Sequence, residues 1–504
     1  MYNIRNFTPR DYQLNILERC KNINCLVCLP TGTGKTKLAI LVALERLNKF
    51  SGSKILFLTP TKPLASQICN EFIESTDIDY KKIALLTGAI ISKNRKEIYK
   101  NSVIIVATPQ TIENDVKNQN IDLDEFSLLV VDECHKSREN FANTKVAEKY
   151  FSDKDSKRIL ALTASPGSDK NKINEICNNL HLKSVEILTE EDEDLKKHIQ
   201  EKDIINIYVD FPEEFRNIHN LMKEEYRSKL NKIKEFGITK PLSVINKTDL
   251  VNLQRRFIKD LNKKNPSTFY GLSLVSQLLK LSYCLELLET QSLNALNDFI
   301  IKLESDTSKA AKNILSSSNI QKAILNVNEL RNKNIKHPKI IKLKSLLSEE
   351  ILNNEKYKAI VFANYRNTID EIISELKDIN IKAERFVGQA NKKSHGLNQK
   401  EQANIIEQFK NGSFNILVAS SVAEEGIDIP EVNAVIFYEP IGSELRKIQR
   451  AGRTGRTKPG KIIFLITKET RDVGLFFSSM RKEKKMKNTL NKMKGENIFS
   501  KYEQ

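Results

Sequence analysis

The feature that most restricts this chain is a recurrence of short, almost wholly apolar runs separated by helix-length segments. Before about residue 200 these are CLVCL, KILFLT, SVIIVAT, LLVVDE and RILALTAS; from Lys358 onward come KAIVFAN, FNILVASS, NAVIFYEP and GKIIFLIT. A strand with one face in water alternates polar and apolar residues. A run apolar throughout is buried on both faces, the condition of a parallel strand covered by crossover helices. The chain is therefore read as α/β, with two parallel sheets of similar rhythm. Between about Asp210 and Lys336 the strand signals stop and only Gly237 and Gly271 remain as glycines. There Leu274, Leu278, Leu281, Leu285 and Leu288 recur at spacings of four and three, the apolar stripe of an amphipathic helix. The expected organisation is an α/β domain over 1–205, a helical insertion over 206–336, and a second α/β domain over 337–504. RKEKKMKNTLNKMK supplies a basic C-terminal helix.

At 504 residues the chain has room for three domains of about 150 residues each. Its net charge of +17, from 81 Lys and Arg against 64 Asp and Glu, points to an anionic partner such as nucleic acid or an acidic membrane surface. The alternative is a lysine-rich solvated surface. No continuous apolar run approaches the about 18 residues of a membrane span, and MYNIRNFTPR lacks the apolar core of a secretory signal. A cytoplasmic protein without a membrane partner is expected. The seven cysteines, an odd number, read as reduced thiols. Cys25 and Cys28 stand three apart in a strand and so face opposite sides, which favours core packing over metal binding.

LPTGTGKT ends the first apolar run and opens a helical segment. Gly32 and Gly34 let the backbone through Leu29, Pro30, Thr31 and Thr33 curl until its N–H groups face phosphate oxygens. Lys35 reaches the terminal phosphates, Thr36 holds Mg²⁺, and the helix N-terminus adds a favourable dipole. Leucine at position 29 departs from the general phosphate-loop pattern, which has glycine there. LLVVDECHKS drives another apolar run into Asp132 and Glu133. Adjacent carboxylates repel, and a cation between them and the phosphates removes the conflict. Asp132 is assigned to Mg²⁺ and Glu133 to orienting and deprotonating an attacking water. Arg10 and Gln13 precede the first strand, and the Gln13 amide suits the donor–acceptor edge of adenine; a polar helix-surface residue is the plainer account. In QRAGRTGR three arginines are interleaved with glycines, and guanidinium forks fit phosphate oxygens. The first sheet's site lacks an arginine for the transferred phosphoryl group. Arg453 and Arg456 are assigned to it, with Gln449 near the γ-phosphate and ATP between the two sheets. A basic RNA-contact loop is the alternative.

Taken in order, Gln13, TGTGKT, TPTKPL, TPQTI, DECH, TAS, VFANYR, ASSVAEEGIDIP and QRAGRTGR resemble the motif set of superfamily 2 helicases. KLSYCLELLETQSLNAL, RFVGQANKKSHGLNQKEQ and TRDVGLFFSSMRKEK narrow the resemblance to the archaeal Hef-type helicases, relatives of the Fanconi anaemia M-type and Mph-type fork remodellers. The resemblance covers nearly the whole chain. It implies two RecA-like domains with a thumb-like helical insertion between them, and ATP and Mg²⁺ as cofactors. It implies contacts to one nucleic-acid strand from Pro60, Thr61, Lys62, Gly88, Thr108, Pro109, Asn364, Arg366, Gln389 and Ser420, which position phosphates without reading sequence. His135, Thr163 and Ser165 would relay closure between nucleotide and strand, and Asp428 would meet the ribose. The insertion, with Arg255 and Arg256, would hold branched duplex or serve only as a packed spacer.

The expected function is an ATP-dependent DNA helicase or translocase acting on forked or branched DNA, as in replication fork repair and remodelling. The alternatives are a duplex-RNA-stimulated ATPase of the RIG-I or Dicer kind, and a non-catalytic branched-DNA clamp that recruits a separate nuclease. The E-R-K-x-x-x-D nuclease signature of longer Hef proteins is missing from this sequence, so no strand cleavage is expected. The tail NIFSKYEQ is a candidate docking segment for a sliding clamp, against a frayed end.

Overall fold

A computed structural model describes residues 1–494 apart from 239, 264, 389–395, 424–428 and 456–458. In chain order its strands are β1 Cys25–Cys28, β2 Lys54–Leu58, β3 Ile83–Leu86, β4 Ile104–Ala107, β5 Phe126–Val131, β6 Arg158–Thr163, β7 Ser184–Ile187, β8 Lys202–Val209, β9 Ala359–Phe362, β10 Ala383–Phe386, β11 Ile416–Ala419, β12 Ala434–Phe437 and β13 Gly460–Thr467. The first seven form one sheet, ordered β3-β4-β2-β5-β6-β1-β7, and the other six a second, ordered β10-β11-β9-β12-β13-β8. Every pairing among these strands is parallel. The loops leaving the strands' carboxyl ends therefore gather on one edge of each sheet, where α/β folds bind ligands.

The strands foreseen from apolar runs are the inner ones. β3, β7, β8 and β10 escaped that reading because they are the four sheet edges, half-buried or exposed along much of their length. β8 pairs with β13 over its whole length, Lys202 beside Gly460 through Val209 beside Thr467. The expected boundary at 205/206 thus cuts a strand: the second lobe starts at β8, and the helical region loops out before that lobe resumes at the helix Pro338–Asn353.

The insertion consists of helices Glu213–Lys232, Lys247–Asp260, Pro266–Thr290, Leu293–Ser305, Lys309–Leu315 and Ser318–Asn332. Its longest helix is capped by Asn265, whose side chain accepts from Ser267 N, and has proline at the first position, where no N–H is needed. The leucine stripe foreseen there is only part of its buried surface. Leu274, Val275 and Leu278 enter a distal core with Phe257 and Leu250, while Leu281, Cys284, Leu287 and Leu288 enter a proximal core with Phe215 and Leu296. A helix apolar on most sides is what the centre of a bundle requires. The same composition makes it long and apolar enough to cross a membrane by that criterion alone, and 56% of its most apolar window is buried inside the protein.

The helix Arg471–Met493 joins the lobes. Phe476 packs in the second lobe's core, and Met486, Leu490 and Met493 in the first lobe's. All seven cysteines are buried and unbridged. Cys25 and Cys28 lie in different cores on the two faces of the first sheet, as strand geometry demands.

Candidate functional site

The segment Leu29–Thr36 runs from β1 into the helix Lys35–Lys49. Gly32 and Gly34 have φ of +80° and +79°, left-handed conformations that glycine adopts without strain. Leu29, the departure from the general pattern, continues the strand: its N–H donates to Thr163 O at 3.1 Å, and its side chain is fully buried in the core. Lys35 Nζ donates to the carbonyl oxygens of Leu29 and Pro30 at 3.0 and 3.1 Å, which sets the ammonium inside the loop. Gln13 Nε2 donates to Gly34 O at 3.2 Å, and Gln13 Oε1 accepts from Arg10 N at 3.0 Å. Two neighbours went unnoticed in the sequence. Tyr12 donates its hydroxyl to Thr33 O, and Lys37 Nζ stands 4.7 Å from the centre of the Phe7 ring. Lone aromatics ahead of a strand carry no signal of their own.

Asp132 and Glu133 follow β5. Burial, and next the Glu133 charge, push the Asp132 carboxyl up to about 7 against the pull of Lys35 and His135. A divalent cation is the group that would restore its charge. Among the described residues no group of three or more His, Cys, Asp or Glu could hold a metal by itself. An ion here would be shared between the carboxylate, a hydroxyl such as that of Thr36, and phosphates. Glu133 has φ +49°, a left-handed backbone that costs a non-glycine residue about 1–3 kcal/mol and that structures retain where function needs the geometry. His135 Nδ1 lies 3.2 Å from Glu133 Oε2 and 3.3 Å from Thr163 Oγ1, which in turn accepts from Ser165 N at 3.1 Å. Ser165 Oγ then reaches Met486 Sδ at 2.9 Å on the helix shared by both lobes. Cys134 makes no polar demand and is buried in the first lobe's core.

Across the cleft, the helix Glu444–Ala451 carries Gln449 and leads into Gly452 and Arg453. This turn touches the phosphate loop so closely that a Cβ at Gly452 would stand 2.5 Å from Thr31 Oγ1. Gln449 and Arg453, 7% and 9% exposed, are buried on either side of this turn in the sequence. Arg456, Asp428 and Gln389, with the tail NIFSKYEQ, lie outside the described residues.

The residues expected to hold a nucleic-acid strand occupy the other half of each sheet. Pro60, Thr61 and Lys62 follow β2, Gly88 follows β3, and Thr108 and Pro109 follow β4; Asn364 and Arg366 follow β9, and Ser420 follows β11. Thr61 and Thr108 are the caps of helices Lys62–Ser75 and Pro109–Lys117, so both stand at the positive end of a helix dipole. Arg366 Nη2 donates to Gly388 O at 3.2 Å, joining the loops after β9 and β10. The described residues expected at the phosphates follow β1, β5 and β12, so the two expected sets are segregated along both sheets.

Family models match the chain in three blocks: "DEAD/DEAH box helicase" over 10–173, "Putative ATP-dependent RNA helicase, helical bundle" over 214–336, and "Helicase conserved C-terminal domain" over 338–458. The "Putative ATP-dependent RNA helicase" of Methanocaldococcus jannaschii is 41% identical over 96% of this chain and 61% of its own length. The ATP-dependent DNA helicase fml1 of Schizosaccharomyces pombe is 32% identical over 92% and 57%. This chain thus spans about three-fifths of either relative. The crystal structure of the Pyrococcus furiosus Hef helicase domain superposes with a TM-score of 0.75 at 40% identity, covering 94% of this chain and 98% of that one. With both sheets, the insertion and the sequence matched together, this chain belongs to the Hef family of DEAD/DEAH-box helicases.

Proposed function

We propose that the chain is an ATP-hydrolysing DNA helicase or translocase that acts on forked or branched DNA. The observation that carries this reading is the contact of Gly452 with Thr31, which sets the arginine-bearing turn of one lobe against the phosphate loop of the other. In this reading Lys35 binds the terminal phosphates, and Gln13 and Arg10 face the base. Thr36 and Asp132 hold Mg²⁺, which neutralises phosphate charge when bound. Glu133, oriented by His135, takes the proton of the attacking water, and Gln449, Arg453 and Arg456 stabilise the phosphoryl group from across the cleft. Asp428 meets the ribose. The helix N-termini after β2 and β4, with Asn364, Arg366, Gln389 and Ser420, hold one strand by its phosphates. Motion of the arginine turn against the phosphate loop is relayed through Thr163 and Ser165.

DNA as the substrate is supported by the fungal relative's description as a DNA helicase. RNA is the second reading, favoured by the description of the Methanocaldococcus relative. ATP hydrolysis measured with forked DNA, single-stranded DNA and duplex RNA tests both. The expected order is forked DNA highest, with Lys35→Ala and Glu133→Gln each lowering turnover by at least about a hundredfold. Stronger stimulation by duplex RNA would transfer the assignment to RNA. Full turnover by Glu133→Gln would remove that residue from the chemistry.

A further inference from the structure

Gln291 ends the longest insertion helix and Glu439 follows β12, and their side chains meet in the interior, 1% and 3% exposed. Gln291 Nε2 donates to Glu439 Oε1 at 2.6 Å, and Gln291 Oε1 accepts from Thr368 Oγ1 at 2.7 Å. The same carboxylate accepts the Asn364 backbone N–H at 3.1 and 3.3 Å. The Asn364 side-chain oxygen accepts from Arg450 Nη2 at 3.1 Å, and Arg450 is fully buried on the helix that also carries Gln449. One carboxylate thus holds the insertion and the Asn364–Arg366 loop and, through Asn364, the arginine helix.

Holding two bodies together does not require a buried charge, since apolar packing does so at least as well. What a satisfied buried network adds is a single geometry, because its hydrogen bonds fail over small displacements and angles. The elements that meet here are those assigned to ATP, to the nucleic-acid strand and to the insertion.

We propose that Glu439 is a positioning residue that ties the orientation of the insertion and of the Asn364–Arg366 loop to the position of the arginine helix. It rests on the helicase reading above. On this account Glu439 transmits ATP turnover to strand displacement without taking part in the chemistry.

The test is a polarity swap in the full chain, in alkaline buffer so that paired carboxylates cannot share a proton. Gln291→Glu sets two carboxylates against each other, and adding Glu439→Gln restores a carboxylate–amide pair in reverse. DNA-free ATP hydrolysis, its stimulation by forked DNA, and base pairs unwound per ATP are measured. Gln291→Glu should leave DNA-free hydrolysis near wild type and lower both stimulation and unwinding on the order of tenfold, within the range of known coupling between sites. The swapped pair should recover most of the loss. Wild-type coupling in Gln291→Glu overturns the proposal, as does a parallel loss of DNA-free hydrolysis that the swap does not repair. Should Gln291→Glu fail to fold, Glu439→Gln alone must show a smaller loss of stimulation, and its absence overturns the proposal equally. A wild-type protein whose hydrolysis ignores DNA refutes the helicase reading first; normal wild-type stimulation with unaffected variants refutes this inference alone.

Discussion

Gly452→Ala should separate closure of the lobes from nucleotide binding. Gly452 has φ −69° and ψ 2°, a backbone that alanine adopts without strain. Its missing side chain is demanded by Thr31 instead: a Cβ would stand 2.5 Å from Thr31 Oγ1, 2.8 Å from its Cβ and 3.0 Å from its Cγ2. Carbon atoms rest about 3.5–4.0 Å apart, so the lobes must part here by about 1 Å. Overpacking of this kind costs about 1–3 kcal/mol, which disfavours the closed arrangement about 5- to 150-fold. In the proposed reading closure brings Arg453 and Gln449 to the phosphoryl group, so kcat for ATP should fall by that factor. The dissociation constant of a fluorescent ATP analogue, bound mainly by the first lobe, should stay near wild type, as should the thermal midpoint. In a Thr31→Gly background, which removes the opposing atoms, Gly452→Ala should have far less effect on kcat. An unchanged kcat in the single variant, or the same loss in both backgrounds, would refute the reasoning.

Acid should loosen the insertion. Burial alone would raise the Glu289 carboxyl, but the His219 hydrogen bond and then Arg471 outweigh it and hold the group at about 2. A depressed carboxylate contributes stability that is full above its ordinary value near 4.5 and lost as pH falls toward 2. The amount is on the order of 3 kcal/mol, and Glu289→Gln should flatten the thermal midpoint over that window; a flat wild-type profile would contradict the assignment. Gly271→Ala would place a Cβ 2.6 Å from Phe257 Cζ and 2.9 Å from Phe236 Cε1. It should weaken the distal core by about 1–3 kcal/mol, visible as faster amide exchange in Lys247–Asp260 with the phosphate-loop amides unaltered; unchanged exchange there would show that the rings give way freely. Nucleic-acid binding should weaken steeply with salt, since phosphate neutralisation drives it; a flat salt profile in a fluorescence-anisotropy titration would argue against a phosphate track.

What the sequence determined by itself is what short-range rules govern. Inner strands are apolar on both faces, so their runs announced them, while the edge strands β7, β8 and β10 mix charged or polar residues into their runs, and β3, though apolar, is a four-residue edge only half-buried along most of its length. The phosphate loop was legible for the same reason, because its glycines, lysine and threonine act within one turn of chain and their spacing is their geometry. The acids after β5 were legible as a mutual repulsion, and in the fold the Glu133 charge does help push the Asp132 carboxyl up. Long-range neighbours were not. That β8 completes the second sheet, that Met486 reaches Ser165, that Gly452 abuts Thr31 and that Glu439 meets Gln291 all join residues far apart in the sequence, the nearest pair separated by 148 positions. Such pairs arise only when the lobes and the insertion pack together. Leu29 shows both regimes at one position: against the motif it looked like a defect, and in the fold it is one more core residue of β1's extension.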